Sequence, residues 1–487
     1  MDPIATPELQ FAPLAPELIL AGFGLILLMM EAFDGKGRDL LKLIVSLVGV
    51  TGAAVATVLL WDWDGEATVL AGMISADRFA VLARLIILAV SAVALVFTYH
   101  YFRRAGEGFG EIYALMLFAV TGMTLMVASA DLIMVFLALE IFSLSLYILT
   151  GSSIRMASGE AALKYFLLGA FSSAFFLYGI AMTYGATGTT KIVEIGAALT
   201  GKTEVSALAL AALGLLAVGF SFKIGAVPFH MWKPDVYQGA PTPITAFMAA
   251  GTIVAAFAAL IRVLDVAFQP LAWNWTPVLW LLAAASMILG AFLAVAQTDI
   301  KRMLAYSSIA NAGYILTGLI AYDSVGITSA LFYLLAYGIM TIGAFGTVML
   351  ISGRGESNTE LSAYRGLGRR RPFLSGLMTL FLLSMAGIPP TVGFIAKAAV
   401  FGAAISVGQW PLVVIAVFSS VVAAYFYLRV IVMMYMQEAD PYGAVADPDV
   451  QRGTATLLLV PALLILVLGV FPGLIWGFLQ SASILKW

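Results

Sequence analysis

The stretch Phe222–Pro243, FKIGAVPFHMWKPDVYQGAPTP, places a charged amine and a proline inside a very apolar chain. Lys223 follows the run VSALALAALGLLAVGFSF, and Pro228 comes five positions after the lysine. Because a proline lacks the backbone N–H that a helix interior needs, this pattern predicts a helix that breaks just beyond the lysine. In lipid, an interrupted helix is tolerated only where protein or water surrounds the break. The stretch therefore indicates a membrane helix interrupted at a protein-lined, hydrated point.

The composition supports a membrane protein and excludes several other classes. Of the 487 residues, 62% are hydrophobic and 11% are charged, which leaves too few polar side chains to cover a soluble core. The net charge of -2 gives no reason to expect nucleic-acid binding, and the absence of cysteine excludes thiol chemistry and cysteine-ligated metals. His100 and His230 are the only histidines, so we expect no metal site. We also expect no cleavable signal peptide, because the N-terminus is acidic.

Fourteen apolar segments are long enough to span a bilayer core, which needs about 20 residues per helix. Numbered 1 to 14, they lie near 14–33, 40–61, 77–100, 111–128, 131–150, 160–187, 205–229, 242–264, 275–297, 302–321, 326–351, 373–400, 409–436 and 455–480. The sequence therefore predicts an all-α polytopic membrane protein.

Basic residues alternate between the connecting loops. The loops after odd-numbered spans hold Lys36, Arg38, Lys42, Arg103, Arg104, Arg155, Lys233, Lys301, Arg302, Arg354, Arg365, Arg369, Arg370 and Arg371. The loops after even-numbered spans are acidic, sparse or roughly neutral. By the positive-inside rule, we expect the basic loops in the cytoplasm and both termini outside, in the periplasm of a bacterial inner membrane.

Three ionisable residues lie well inside predicted spans: Glu140 in span 5, Lys223 in span 7 and Lys397 in span 12. Such residues are costly in lipid and usually face a bundle interior or a wet cavity. Burial disfavours the charged form of an amine or a carboxylate, and a nearby opposite charge restores it. A lysine beside a carboxylate can therefore exchange a proton as its neighbour changes. The alternative is a static ion pair that joins two helices.

Both lysines lie beside a predicted helix break. Pro228 follows Lys223, whereas Pro389 and Pro390 precede Lys397. Paired broken helices in corresponding halves of a transporter indicate its ion pathway. We interpret the reversed order as a sign of two inverted five-helix repeats, spans 4–8 and 9–13. The expected units are 1–105 with spans 1–3, 106–265 and 275–437 as the repeats, and 450–487 with span 14.

Polar side chains recur at helical spacing between the charged residues. They are Ser143 and Tyr147 on span 5, Thr245 and Thr252 on span 8, Ser307, Asn311 and Tyr314 on span 10, and Tyr333, Tyr337 and Thr341 on span 11. Taken singly, each is more typical of a helix–helix hydrogen bond than of a water chain. Their clustering on the charged helices favours a relay.

These motifs resemble the antiporter-like subunits of respiratory complex I, and in particular the N type. The resemblance rests on PFHMWKPDVYQGAPTP, ALEIFSLSLYIL, EAALKYFLLGAFSSAFFLYG, DIKRMLAYSSIANAGY, GIPPTVGFIAK and YFYLRVIVMMY. It implies that spans 7 and 12 are broken and that Glu140, Lys223 and Lys397 carry protons, with Thr252, Ser307, Asn311, Tyr314 and His230 as relay candidates. It also implies that this chain holds no cofactor, and that FMN, iron–sulfur clusters and quinone belong to partner subunits.

The chain departs from that family pattern at two positions. Ile253 occupies a position on span 8 where the N type usually carries a lysine, and Asn311 stands where a histidine is usual. Both departures remove a titratable group from the middle of the expected axis, since an amide cannot titrate. Either water and hydroxyl groups bridge the axis here, or the chain couples more weakly than its relatives.

The sequence is also compatible with other functions. A cation/proton antiporter subunit, or a subunit of a related photosynthetic or hydrogenase complex, would share the fold and many of these residues. A further alternative is a structural scaffold that no longer pumps protons, because Ile253 and Asn311 leave two positions of the expected axis without a titratable group. In each case we expect neighbouring membrane subunits and lipid as partners, and no nucleic acid.

Overall fold

The computed structural model describes residues 10–34, 38–107, 110–201, 205–356, 358–439 and 452–485. The α-helices up to the chain's middle are α1 (Ala15–Asp34), α2 (Asp39–Leu59), α3 (Arg78–Ala105), α4 (Glu111–Ala128), α5 (Leu132–Thr150), α6 (Met156–Thr187), α7 (Ile192–Leu199), α8 (Ala207–Ile224), α9 (Trp232–Gly239), α10 (Thr242–Phe247) and α11 (Ile253–Arg262). Those that follow are α12 (Ala272–Val295), α13 (Ile300–Leu319), α14 (Ser324–Ile351), α15 (Leu367–Arg370), α16 (Pro372–Ala386), α17 (Val392–Ser406), α18 (Trp410–Met436), α19 (Arg452–Leu457), α20 (Leu459–Val470) and α21 (Gly473–Ala482).

A two-residue β-hairpin and several short helical turns complete the described structure. Strand β1 (Thr68–Val69) pairs antiparallel with β2 (Ile74–Ser75) just before α3. Two π-helical segments, Met248–Thr252 and Val263–Ala267, flank α11 and make Thr242–Ala267 one continuous helical crossing.

Side-chain caps explain where several long helices begin. Asp77 accepts a hydrogen bond from the Ala80 N–H at 2.8 Å, and Asp299 accepts one from the Arg302 N–H at 2.9 Å. A carboxylate at this position satisfies a backbone donor that the helix leaves free, and it complements the positive end of the helix dipole. These caps start α3 and α13 close to where the hydrophobic pattern predicts them.

The predicted all-α membrane fold is confirmed. Twelve helical stretches of the described residues are long and apolar enough to cross a membrane. The remaining predicted spans correspond to α13 and to the pair α16 and α17, which are apolar but 15 residues long each. Span 12 is therefore two half-helices, as its prolines indicate. Span 14 is also divided in the structure: Gly453–Val470 is long enough to cross a membrane, and α21 follows it as a separate helix.

The crossing Thr242–Ala267 lies at the centre of the bundle. Its most apolar window is fully buried, and that of α14 is 94% buried. By contrast, at most 39% of the residues in the most apolar windows of α1, α2, α6 and α18 are buried, and Phe171 and Val421 are among the exposed ones. Exposed apolar side chains on a membrane helix face lipid or a neighbouring subunit.

Candidate functional site

The first break lies between α8 and α9, and its backbone groups find partners within the protein. Helix α8 ends at Gly225, which has a φ of 72°, a conformation that glycine adopts without a steric penalty. The Val227 N–H donates to Ser286 Oγ at 2.9 Å, and Trp232 Nε1 donates to the Phe222 carbonyl at 3.0 Å. These bonds meet the requirement that interrupted backbone in a membrane be satisfied internally.

Lys223 lies one turn before this break, and it is buried among neutral groups. Its Nζ donates to Ser143 Oγ at 2.7 Å, and the Ser143 hydroxyl in turn donates to the Leu139 carbonyl. The amine also lies 5.4 Å from the centre of the Phe142 ring and 5.9 Å from that of Tyr147. Span 5 and span 7 therefore meet at the lysine, which brings Lys223 to the helix that carries Glu140.

Glu140 acts on Lys223 without bonding to it directly. The two residues form no ion pair, yet the carboxylate interacts electrostatically with the lysine amine. Glu140 is half-buried, and it accepts a hydrogen bond at 2.5 Å from the Ser173 hydroxyl on α6. The arrangement differs from the static ion pair of the alternative reading, because each group has its own neutral partner and their charges interact at a distance.

The second break separates α16 from α17 and holds Lys397. Gly387 closes α16 with a φ of 83°. The Lys397 amine donates to the carbonyl of Ala386, the last residue of α16, at 3.0 Å and to Ser420 Oγ at 2.9 Å. It also lies 4.9 Å from the centre of the Tyr314 ring. Each of these three neighbours is a neutral dipole or an aromatic ring, which stabilises a cation without supplying a full counter-charge.

A hydrogen-bonded chain runs across the middle of the bundle. Ser307 is bonded to the Tyr427 hydroxyl, and Asn311 Nδ2 donates to the Ser307 carbonyl at 2.8 Å. Tyr333 donates to Asn311 Oδ1 at 2.6 Å. The structure thus brings the predicted stripes of span 10 and span 11 into contact, and it adds Tyr427 of α18 to them.

Two further relay candidates have distinct surroundings. The Tyr314 hydroxyl is buried and has no hydrogen-bond partner. Thr252 ends the π-helical segment and donates to the Met248 carbonyl at 2.7 Å, while the neighbouring Ile253 is apolar and buried. The π-helix type is rare and frequently occurs at functional sites. His230 lies half-buried in the first break, with a buried Nδ1 that has no partner.

Lys233 corrects the sequence interpretation. The charge pattern predicts a basic loop residue at this position. In the structure Lys233 is instead fully buried in α9, where its Nζ donates to the Ile224 carbonyl at 3.0 Å. In two inverted repeats the residues keep the same order along the chain. Lys397 follows the second break, so its counterpart must be a residue that follows the first break. The opposite placement of Lys223 and Lys397 is therefore no evidence for inverted repeats. The signal in the sequence was a lysine that follows Gly225 and Pro228, as Lys397 follows a glycine and a proline.

The sequence also showed no sign of a buried charge cluster at the basic face, which is the side of the bundle where the basic loops after odd-numbered spans lie. Glu356 accepts from the Lys301 amine at 2.8 Å and forms an ion pair with Arg155 at 3.0 Å. Its other oxygen accepts from the N–H and the hydroxyl of Thr242 at 2.5 and 2.7 Å. These contacts join a loop after α14 to the starts of α6, α10 and α13. Within the described residues, no group of His, Cys, Asp and Glu side chains is arranged to hold a metal ion.

The chain is similar to a family of membrane proteins and to several of their solved structures. The family described as "NADH:quinone oxidoreductase/Mrp antiporter, TM" matches residues 129–423. The chain is 44% identical to NADH-quinone oxidoreductase subunit N of Rhodococcus opacus, over 96% of this chain and 95% of that protein.

Two solved structures show the same fold. A chain of respiratory complex I from Thermus thermophilus is 34% identical, with a TM-score of 0.81 over 96% of this chain and 99% of that one. A chain of the Mrp complex from Dietzia has a TM-score of 0.86 over 97% of both chains. Its identity of 22% shows the fold alone.

Proposed function

We propose, from the premise that this chain belongs to the subunit N family of NADH-quinone oxidoreductases, that its buried amines and carboxylate carry protons across the membrane. The chain is a multi-pass, antiporter-like membrane subunit of a multi-subunit enzyme complex. Quinone reduction takes place elsewhere in that complex, and it drives this chain through conformational and electrostatic coupling.

One observation carries the proposal: the ionisable groups at the two helix breaks are held by neutral partners. Lys223 bonds a hydroxyl, and Lys397 bonds a carbonyl and a hydroxyl. A neutral partner does not fix the charge of a buried amine, so the amine can lose and regain its proton when a nearby charge changes. A purely structural cation would gain more from a direct carboxylate partner.

The steps follow from these contacts. A negative charge on Glu140 stabilises a proton on Lys223, and loss of that charge releases the proton. Hydroxyl and amide groups of α13, α14 and α18 then offer donors and acceptors towards Lys397. The bond between Lys397 and the last carbonyl of α16 holds its amine at the second break. Thr252, Ser307, Asn311 and Tyr314 are the proposed relay groups between the two lysines, and His230 serves at the first break.

The remaining expectations complete the proposal. The helices of 106–265 and 275–437 form two inverted repeats, and the basic loops, with Arg155 and Lys301 among them, face the cytoplasm. Both termini lie on the outer side of a bacterial inner membrane. Other antiporter-like and small membrane subunits are the neighbours of this chain. FMN, iron–sulfur clusters and quinone are bound by partner subunits, and this chain binds none of them.

Proton transport is tested in the intact complex reconstituted in vesicles. Glu140→Gln and Lys223→Met each remove one titratable group with little change in shape, and each should lower proton uptake and quinone reduction together by about tenfold or more. Glu160→Gln is the matched control, because Glu160 is exposed and, within the part of the chain that the structure describes, forms an ion pair only with Lys164. Normal proton uptake and turnover in both axis variants would show that the chain is a scaffold.

A cation/proton antiporter is the second candidate, and the structure favours it less. A buried ammonium repels a metal cation that shares its cavity, whereas a proton binds to the amine itself. Lys223 and Lys397 both contribute such amines to the proposed path. Uptake that follows a sodium gradient in the same vesicles, and stops when sodium is removed, would establish the antiporter instead.

A further inference from the structure

Lys233 is a buried amine that the proposed proton path through Lys223 and Lys397 does not use. Its side chain is fully buried in α9, and its Nζ donates to the Ile224 carbonyl at 3.0 Å. The amine also lies 5.6 Å from the centre of the Tyr237 ring. No carboxylate forms an ion pair with it among the described residues. A buried lysine without a counter-ion is costly, and in a membrane it marks a functional position by default.

The surroundings of Lys233 repeat those of Lys397. Each lysine follows a broken helix and donates to the last residue of the half-helix before the break, Ile224 or Ala386. Each also packs on the glycine that ends that half-helix. A methyl group on Gly225 would lie 2.7 Å from Lys233 Cδ, and one on Gly387 would lie 2.9 Å from Lys397 Cδ.

The two half-helices run in opposite directions through the membrane. Helix α8 belongs to the seventh crossing and α16 to the twelfth, so one runs inwards where the other runs outwards. Lys233 and Lys397 are thus related as inverted copies, one displaced towards the basic face and one towards the opposite face. Lys223 has no such counterpart, because Met385 occupies its position before Gly387.

Polar groups extend from Lys233 in both directions. Towards the basic face, Asp235 on the same helix is about one-third exposed and pairs with Lys164 and Arg302. Towards the bundle centre, the Tyr237 hydroxyl interacts with Ser308 of α13.

The Ser308 hydroxyl accepts a hydrogen bond from Tyr337 at 2.6 Å. Ser308 adjoins Ser307, so the polar contacts reach the hydrogen-bonded chain at mid-bundle. Lys233 therefore lies between a solvent-reaching charge cluster and the central hydroxyl groups.

We propose that Lys233 is a further proton-carrying residue, which takes up a proton from the basic face and passes it to the central axis. The proposal rests on the proposed transport function. In the uptake step the neutral amine of Lys233 gains a proton from solvent to become an ammonium. In the release step it loses that proton to the hydroxyl and water chain of α13. No electron is transferred and no other bond changes.

A purely structural role makes a different prediction, which allows a direct test. As a helix cap, the lysine would supply only a fixed positive charge at the carbonyl end of α8. Arginine supplies the same charge but does not deprotonate in proteins, whereas histidine titrates near neutral pH. The three variants Lys233→Arg, Lys233→His and Lys233→Met therefore separate the fixed charge from the exchangeable proton.

The experiment measures the initial rate of proton uptake by vesicles that contain the intact complex, with assembly checked on native gels. We expect Lys233→Met and Lys233→Arg to lower uptake by about tenfold or more, and Lys233→His to retain a substantial part of it. Lys191→Met is the control, since Lys191 is a partly exposed lysine that pairs with Glu194 and lies outside this charge cluster, and it should leave uptake unchanged.

Any other pattern of uptake rates in variants that assemble overturns the inference. Wild-type uptake in Lys233→Arg means that the residue only caps α8, and wild-type uptake in Lys233→Met means that it is dispensable. If Lys233→Met does not assemble, the arginine and histidine variants decide between the two roles. Lys223→Met is measured alongside: if it lowers uptake while the Lys233 variants do not, only this inference fails, and if it too pumps normally, the transport function fails.

Discussion

Replacing Glu356 by glutamine tests whether the buried cluster at the basic face holds the two halves of the bundle together. The carboxylate accepts bonds from Thr242 and Lys301 and is paired with Arg155, all within 3.0 Å. Glutamine keeps the shape but removes the charge, and its NH2 group must face either the two cations or the N–H of Thr242. Removing one member of a buried ion pair costs about 3–5 kcal/mol, because the partner is left buried without a counter-charge.

The expected loss corresponds to a measurable fall in melting temperature. From average unfolding entropies per residue, about 4 kcal/mol in a chain of this length lowers the melting temperature by roughly 4 °C. Melting of the purified chain in detergent, followed by the fluorescence of its nine tryptophans, measures this change. Glu360→Gln is the matched control, because Glu360 lies on the same loop and is exposed. It should leave the melting temperature unchanged.

The double variant Glu356→Gln, Lys301→Met sharpens the test. Since most of the cost lies in the unpaired ammonium, removing that ammonium should restore part of the lost stability. If Glu356→Gln has the same melting temperature as the Glu360→Gln control, the buried cluster does not stabilise the fold and the reasoning is refuted. A double variant in which the two losses simply add would refute it as well.

Acid should have the same effect as the glutamine substitution. Burial alone would raise the pKa of Glu356, but the charges of Lys301 and Arg155 hold that pKa below its ordinary value. A carboxyl with a lowered pKa contributes stability that is complete above its unfolded-state pKa and is lost as pH falls through the folded-state pKa. The stability difference between wild type and Glu356→Gln should therefore be constant near neutral pH and shrink only in acid.

Three further substitutions test the contacts of the two lysines and the central chain, with proton uptake by the intact complex as the measurement. Ser143→Ala removes the acceptor of the Lys223 amine, and because a hydrogen bond to a charged group contributes about 1.5–3 kcal/mol, proton uptake should fall by tenfold or more. Wild-type uptake would contradict the assigned contact. Gly387→Ala places a methyl group 2.9 Å from Lys397 Cδ at a φ of 83°, which should lower the free energy of unfolding by at least about 1–2 kcal/mol and also lower proton uptake. Unchanged stability and uptake would show that the second break rearranges freely. Asn311→Leu removes the hydrogen bonds of the central amide and should block uptake, whereas Asn311→His should preserve it. Equal uptake in the two variants would show that this residue is not part of the relay.

The parts of the fold that depend on local sequence signals were predictable. A run of about 20 apolar residues specifies a membrane helix wherever it occurs. Span 5, predicted at 131–150, is α5 at Leu132–Thr150 in the structure. The breaks were predictable for the same reason: a proline removes a donor, and a glycine such as Gly225 allows the left-handed turn that ends a helix.

The contacts of the candidate site depend on chain folding and were not predictable. Glu356 bonds Thr242 across 114 positions of sequence, and no local pattern connects them. Ser173 and Ser420, which bond Glu140 and Lys397, lie on neighbouring helices whose rotation the hydrophobic pattern does not specify.

Lys233 illustrates why charge counting fails near a helix break. By sequence it lies among polar residues after span 7, as a loop lysine would. Because the chain continues as α9 after the break, the long side chain reaches back towards α8 and meets the Ile224 carbonyl. A rule that counts basic residues near the ends of spans cannot distinguish a lysine in solvent from one that returns to a helix end.

The structure uses two kinds of buried cation, and the difference lies in their partners. Arg84 forms two bonds with the carboxylate of Glu17 at 2.9 and 3.0 Å, and Arg262 bonds Asp77 with the same double geometry. An arginine remains protonated in proteins, and a bidentate carboxylate fixes its position, so these pairs hold helices together. Lys397 instead faces a carbonyl, a hydroxyl and a ring. Those neutral partners stabilise the ammonium less than a carboxylate would and still offer contacts to the free amine, so the balance between the two forms responds to charges further along the axis.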